Sequence, residues 1–320
     1  MVGILALLGF GLLVGGLSGL GGDDDPVAEP VDDGVEPTQV ASEGDDPLQF
    51  VGDAYVDDFQ AGLDDLVSEG ELTQAQADAL FDNTASASGP LNIVTGDGED
   101  GILGGDQNDT ISVGGGDDGA AGGEGDDLIE LGAGADVSGE SDRTGSFPDD
   151  NRPFVQSDAG VATAAVLEAG NDTIRGGGGA DDIADAYGSN ELRGENGDDF
   201  IVAVDSDGVT PDVVRGGTGS DALVVDQGDT VNTGVGQDFV TVDVTNGVEE
   251  GYQLVTIEDF DPANDRLELE GEDSLLNGTG AGVTVEPFDG GVTVLVNGVE
   301  VVRVVGGTGL TPQDIFLQTA

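Results

Sequence analysis

Residues 122–130 read GGEGDDLIE and residues 176–184 read GGGGADDIA. Each sets glycines first, an aspartate at the sixth position and an aliphatic residue at the eighth. Carboxylates delivered by glycine-rich turns are oxygen donors for hard cations, and carbonyls turned inward by the same glycines add to the shell. Laid out in nines from Thr95, the chain repeats the template G-G-x-G-x-D-x-U-x, with U aliphatic, through thirteen units. The sixth position supplies Asp100, Asp109, Asp118, Asp127, Asp136, Asp172, Asp181, Asp199, Asp212, Asp221, Asp229 and Asp238, with Asn190 as the exception. The best-formed glycine turns hold Gly122, Gly123 and Gly125, then Gly176, Gly177 and Gly179, then Gly216, Gly217 and Gly219. These residues are the candidate metal ligands, and calcium is the ion that all-oxygen chemistry fits best.

Most other chemistry is excluded by composition. The chain has no histidine and no cysteine, which removes imidazole and thiolate catalysis and the usual zinc sites. No HExxH, GxSxG or GxxxxGK[ST] motif is present. Paired carboxylates can run glycoside hydrolysis, but here their spacing commits them to the repeat. The expectation is a non-catalytic protein. With 67 acidic residues against seven basic ones, a formal charge of −60 repels nucleic acid and anionic membrane surfaces and attracts cations.

The elements that must position these aspartates follow from the same nine residues. The three residues after each turn suffice only for a short strand, whose central aliphatic faces a core by the two-residue period of strands. Two nonamers then close one coil, and turns eighteen residues apart stack. Asp100, Asp118 and Asp136 form one column and Asp109 and Asp127 the other. Farther on, Asp181, Asp199, Asp221 and Asp238 alternate with Asp172, Asn190, Asp212 and Asp229. Carboxylates stacked about 5 Å apart repel by roughly 0.8 kcal/mol per pair even at the dielectric of water. A divalent ion between them reverses that sign. Because so thin a core cannot offset chain entropy alone, ion binding is expected to be coupled to folding. One site held at about a hundred times its dissociation constant adds roughly 2.7 kcal/mol.

At this point the chain resembles the RTX (repeat-in-toxin, haemolysin-type) calcium-binding family, whose nonapeptide matches the template. The resemblance covers about residues 91 to 270. It implies a parallel β-roll with several calcium ions between stacked loops, bound by the sixth-position aspartates and loop carbonyls. It also implies export by a type I secretion route and folding outside the cell. Departures are visible. Asn190 replaces an aspartate, Gln107 and Gln227 replace fourth-position glycines, and VDQGDTVN (225–232) is one residue short. Ion sites touching these are expected to be weaker or absent. Residues 140–166 interrupt the series and read as a loop bulging from the roll.

The whole chain divides as follows. Residues 1–22 carry no charged side chain and read as a membrane anchor or a signal-like helix; such a segment fits type I export poorly. Residues 23–47 are an acidic, proline-rich linker. Residues 48–90 read as a helical hairpin, with Tyr55, Phe59, Leu63 and Leu66 at helical spacing and a capping box at Thr73 and Gln76. The roll occupies 91–250. Residues 251–320 are a β cap with a possible secretion signal, with hairpin turns at Asp289-Gly290-Gly291 and Asn297-Gly298. Asp259 and Asp265 read as surface carboxylates rather than a further site. The fold class expected is mainly β: a parallel β-roll, or β-solenoid, with a C-terminal antiparallel β cap and a short N-terminal helical segment. Function is expected to be calcium binding at the cell surface or outside the cell. The alternatives are an accessory region of an exported hydrolase and a salt-adapted acidic solenoid adhesin.

Overall fold

The structure is a computed structural model that describes residues 37–41, 48–52, selected positions between 56 and 78, 86–138 except 99, 106 and 124, 170–276 except 186, 206–209, 246 and 249–250, and 282–319. The 1–22 segment and residues 140–166 lie outside the described residues. Among those described, no helix is long and apolar enough to cross a membrane.

Short strands follow one another at the rhythm of the repeat. The first eight are β1 (Thr38–Ala41), β2 (Gln49–Val51), β3 (Leu91–Val94), β4 (Gly101–Gly105), β5 (Thr110–Ser112), β6 (Gly119–Gly123), β7 (Leu128–Ala133) and β8 (Val137–Ser138). The next eight are β9 (Thr173–Gly178), β10 (Asp182–Asp185), β11 (Glu191–Asn196), β12 (Phe200–Ala203), β13 (Val213–Gly219), β14 (Ala222–Val225), β15 (Thr230–Gly236) and β16 (Phe239–Asp243). Last come β17 (Val255–Ile257), β18 (Arg266–Gly271), β19 (Val283–Phe288), β20 (Gly291–Val296), β21 (Val299–Val305) and β22 (Ile315–Thr319). Among the described residues, the odd strands together with β20 build a twelve-stranded sheet and the remaining even strands a ten-stranded one. Every neighbour from β1 to β18 within a sheet runs parallel, so the chain alternates sheets and climbs one coil per pair of strands: a parallel β-roll.

The eighth-position residues fill the space between the sheets. Ile102, Ile111, Ile129, Ile174, Ile183, Leu192, Ile201, Val214, Leu223, Val231 and Val240 are all at most 1% exposed, and Ala120 and Ser138 sit in the same column. Where the first position carries a side chain, as at Val113, Leu131 and Val225, it joins them. That is the strand period carried two residues on.

Register shows how the repeat absorbs its interruptions. Regular coils advance 18 residues, as from Thr110 to Leu128. Leu128 pairs with Thr173 and Val137 with Asp182, an advance of 45 whose excess over 18 is 27, the length of 140–166. The strands on either side therefore pair as consecutive coils. The four extra residues after Ala203 lengthen one coil to 22, and the short unit trims the next to 17.

Both ends differ from the simplest reading of the sequence. β1 lies inside the segment read as linker and pairs with β3, Thr38 facing Leu91; β2 pairs with β4. The roll thus starts more than fifty residues before its first regular repeat. The described positions at 56, 60, 63–64, 67–68, 74–75 and 77–78 are helical. They fall between β2 and β3, and Val56 packs on Val51, Leu103 and Ala121, outward residues of the even sheet. Of the residues at helical spacing, Leu63 is described and buried; Tyr55, Phe59, Leu66 and Gln76 lie outside the described residues.

At the C-terminal end β19, β20 and β21 form the expected antiparallel meander. Its second turn has positive φ at both Asn297 (54°) and Gly298 (85°), the pattern of a type I′ turn. β21 then runs parallel to β17, and β22 parallel to β18, so the meander extends the odd sheet and the last strand extends the even one.

Candidate metal centre

Each sixth-position aspartate closes its turn and turns its carboxylate back down the roll. Its Oδ1 accepts the amide N–H of the equivalent residue one coil earlier. On one edge Asp118 Oδ1 takes the Asp100 amide at 2.7 Å, Asp136 that of Asp118, Asp181 that of Asp136, Asp199 that of Asp181, Asp221 that of Asp199, and Asp238 that of Asp221. On the other edge the ladder runs from the Leu91 amide through Asp109, Asp127, Asp172, Asn190 and Asp212 to Asp229. All twelve aspartates named from the sequence are buried, none more than 4% exposed. The structure therefore brings them into two vertical columns.

Oδ1 is satisfied by this ladder; Oδ2 is the informative atom. In Asp100, Asp127, Asp136, Asp181, Asp199, Asp221 and Asp238 it is buried and has no hydrogen-bond partner. A buried carboxylate oxygen left in this way is costly unless a cation compensates it. The first-position glycine shows where these atoms point. A methyl group built on Gly176 would strike Asp181 Oδ2 and lie 2.8 Å from the Gly194 carbonyl oxygen of the next coil. The same pair recurs at Gly194, with Asp199 Oδ2 and the Gly216 carbonyl, and at Gly216, with Asp221 Oδ2 and the Thr233 carbonyl. Two oxygens that can only accept thus converge on one point between coils. A hard cation is the group that such donors fit, and carboxylate with carbonyl is a calcium-type pair.

The other glycines make this stacking sterically feasible. At the second position Gly123, Gly177 and Gly217 have φ of 102°, 105° and 119°. At the fourth, a methyl on Gly179 would fall on the Gly134 carbonyl oxygen and one on Gly219 on the Gly197 carbonyl, while Gly125 stacks on Gln107. Gly122 at the first position would strike the Asp127 carboxylate.

Burial sets the electrostatics. It raises Asp127 and Asp136 to about 8, and Asp172, Asp181, Asp199, Asp221 and Asp238 to about 6; neighbouring carboxylates raise them further and the amide ladder lowers them. Asp229 is likewise pushed up to about 8 by burial. At neutral pH and without a cation, those raised to about 8 hold protons that a cation would displace. Among the described residues no three acidic side chains form a ready-made chelating cluster. Each point of convergence has a carboxylate and a carbonyl instead.

Three features escaped the sequence reading. Asp265 is a correction: it is 4% exposed, and its Oδ1 accepts the Asp238 amide, so it is a further rung rather than a surface carboxylate. The signal was present, because Asp265 and Leu267 keep the six-to-eight spacing and Leu267 pairs with Val240. Asp259 is half-buried and caps the Thr233 and Gly234 amides. Position five carries a second, exposed ladder of opposite sense. Asn108, Asp126 and Asn171 each accept, through Oδ1, the position-five amide one coil later. Its signal was the frequency of Asn, Asp and Ser at that position. Finally, Asn190 keeps the ladder bond through Oδ1 and donates its Nδ2 to the Tyr187 carbonyl at 3.0 Å. The coil stays closed there, but one anionic ligand is lost.

Comparison with known proteins finds no family model and no curated protein that matches this chain.

Proposed function

We propose that this protein is a non-catalytic calcium-binding β-roll of the repeat-in-toxin type, working at the cell surface or outside the cell and ordered by the ion. The supporting observation is the recurrent pairing of an unpartnered, buried Asp Oδ2 with a carbonyl oxygen of the next coil. The residues that would hold calcium are the sixth-position aspartates of both columns, with first-position carbonyls such as those of Gly194 and Gly216. Bound calcium supplies the positive charge that lets stacked carboxylates ionise together. Absence of histidine and cysteine supports the non-catalytic reading. The surface or extracellular setting is what the resemblance to the repeat-in-toxin family implies. Titration calorimetry of the full chain at pH 7, run in two buffers of different ionisation enthalpy, tests the proposal. Several ions per chain with release of protons is the expected result. No bound calcium at millimolar free ion, confirmed by equilibrium dialysis, would overturn it.

A further inference from the structure

The coils around residues 204–252 depart most from the repeat, and there a different group of carboxylates enters the fold. Ala203 pairs with Val225 and Val225 with Val242, so Asp226 and Asp243 occupy the same turn position one coil apart, and Asp205 stands just below them. All three are buried, at 7% exposure or less, although none stands at the sixth position of a nonamer. Asp226 links the group: its Oδ2 accepts the Asp205 amide at 3.3 Å, and its own amide donates to Asp229 Oδ2 at 2.9 Å. Asp205 is held by Thr210, whose amide and hydroxyl both bind its carboxylate at 2.6 Å, and Asp243 accepts the Thr245 amide.

Two atoms here have no partner. Asp226, 96% buried by its 4% exposure, has Oδ1 enclosed and bonded to nothing, with the Asp229, Asp205 and Asp243 carboxylates acting on it. The phenol oxygen of Tyr252 is also enclosed and unbonded, and the charges of Asp226, Asp229 and Asp243 act on it. A phenol beside three anionic acceptors donates to one of them wherever separation permits. Here it is bonded to none of them. A buried, unbonded carboxylate oxygen on Asp226 with three further carboxylates acting on it calls for positive charge.

We propose that Asp226 and Asp229, flanked by Asp205 and Asp243, hold a divalent cation beside Tyr252, at a site that shares only Asp229 with the repeat-phase column. Two carboxylates, with carbonyl and water oxygens, satisfy a calcium-type shell, so three converging acids are not required. This inference shares Asp229 with the nonapeptide sites but rests on Asp226 and Tyr252, which the repeat does not use.

Terbium(III) bound to the full chain, with emission excited through tyrosine, tests it. The chain has three tyrosines (Tyr55, Tyr187 and Tyr252) and no tryptophan to compete. Tyr252→Phe is expected to lower sensitised emission at least two-fold. Asp226→Asn should lower it equally, and the double variant no further. Calcium-induced circular dichroism, run on each variant, reports folding of the roll separately. A folded Asp226→Asn that keeps full sensitised emission overturns the inference while leaving the calcium roll intact. So does Tyr252→Phe with unchanged emission, should Asp226→Asn not fold. Failure of calcium to order the wild type would instead strike the nonapeptide reading.

Discussion

Gly178 and Gly179 stand side by side in the same turn, yet only one of them is required. Around a methyl built on Gly178 there is nothing within 4 Å, whereas one on Gly179 meets the Gly134 carbonyl of the coil below. Gly178→Ala is therefore expected to leave thermal stability within about 0.5 kcal/mol, and Gly179→Ala to cost about 3 kcal/mol, in calcium-loaded melts. The sixth position allows a sharper distinction. Asp181→Asn keeps an Oδ1 acceptor for the Asp136 amide, as Asn190 does for Asp172, but removes a ligand charge. Calcium affinity should fall while the metal-free chain is no less stable. Asp181→Ala should lose both, because a buried amide without an acceptor costs about 1–3 kcal/mol. Equal behaviour of the two variants would mean that Asp181 serves the ladder alone. These roles were legible residue by residue in the repeat, since sterics and charge recur at one phase. What was not legible is the division of labour between the carboxylate's two oxygens, which depends on which amide lies one coil below.

At the scale of the element, a coil is a unit that tolerates additions at its turns and not in its strands. The Leu128–Thr173 and Val137–Asp182 pairings make 140–166 external to the coil count. Deleting those 27 residues, so that Gly139 runs into Leu167, should leave the calcium-induced β spectrum unchanged and alter stability by about 1 kcal/mol, since loop closure depends only weakly on length. Loss of the spectrum would show that the segment builds part of the roll. The thirteen-unit rhythm disclosed the strands and the core column, and Asp289-Gly290-Gly291 and Asn297-Gly298 the hairpin turns of the cap. It did not disclose β1, because four residues, TQVA, exposed except for Val40 and set in an acidic, proline-rich stretch, carry no periodicity of their own. They are strand because β3 offers them an edge. Asp205, Asp226 and Asp243 were hidden for a similar reason: an insertion and a deletion moved them out of phase, and only the pairing of Val225 with Val242 restores their alignment.

For the whole molecule, the decisive quantity is charge held at close range. In the metal-free roll Asp127, Asp136, Asp181, Asp199, Asp221 and Asp238 have folded-state values of about 6 to 8 against an ordinary 3.8. Folded chains then bind more protons than unfolded ones between about pH 4 and pH 8, so stability is greatest at the acid end and falls as pH rises through that window. Acidification should therefore substitute in part for calcium: in chelator, β structure should be greater at pH 5 than at pH 8. The opposite trend would mean that the carboxylates ionise freely in the fold. Salt distinguishes specific binding from general screening, because molar sodium chloride shortens the Debye length to about 3 Å yet supplies no divalent charge to a pair of carboxylates. The most direct measurement is far-UV circular dichroism of the full chain at pH 7.5, first in chelator and then through a titration to millimolar calcium. A coil-like spectrum converting to β structure, with magnesium and sodium ineffective at equal concentration, is the expected result. A fully formed β spectrum in chelator, unchanged by calcium, would contradict the claim that stacked carboxylates need the ion.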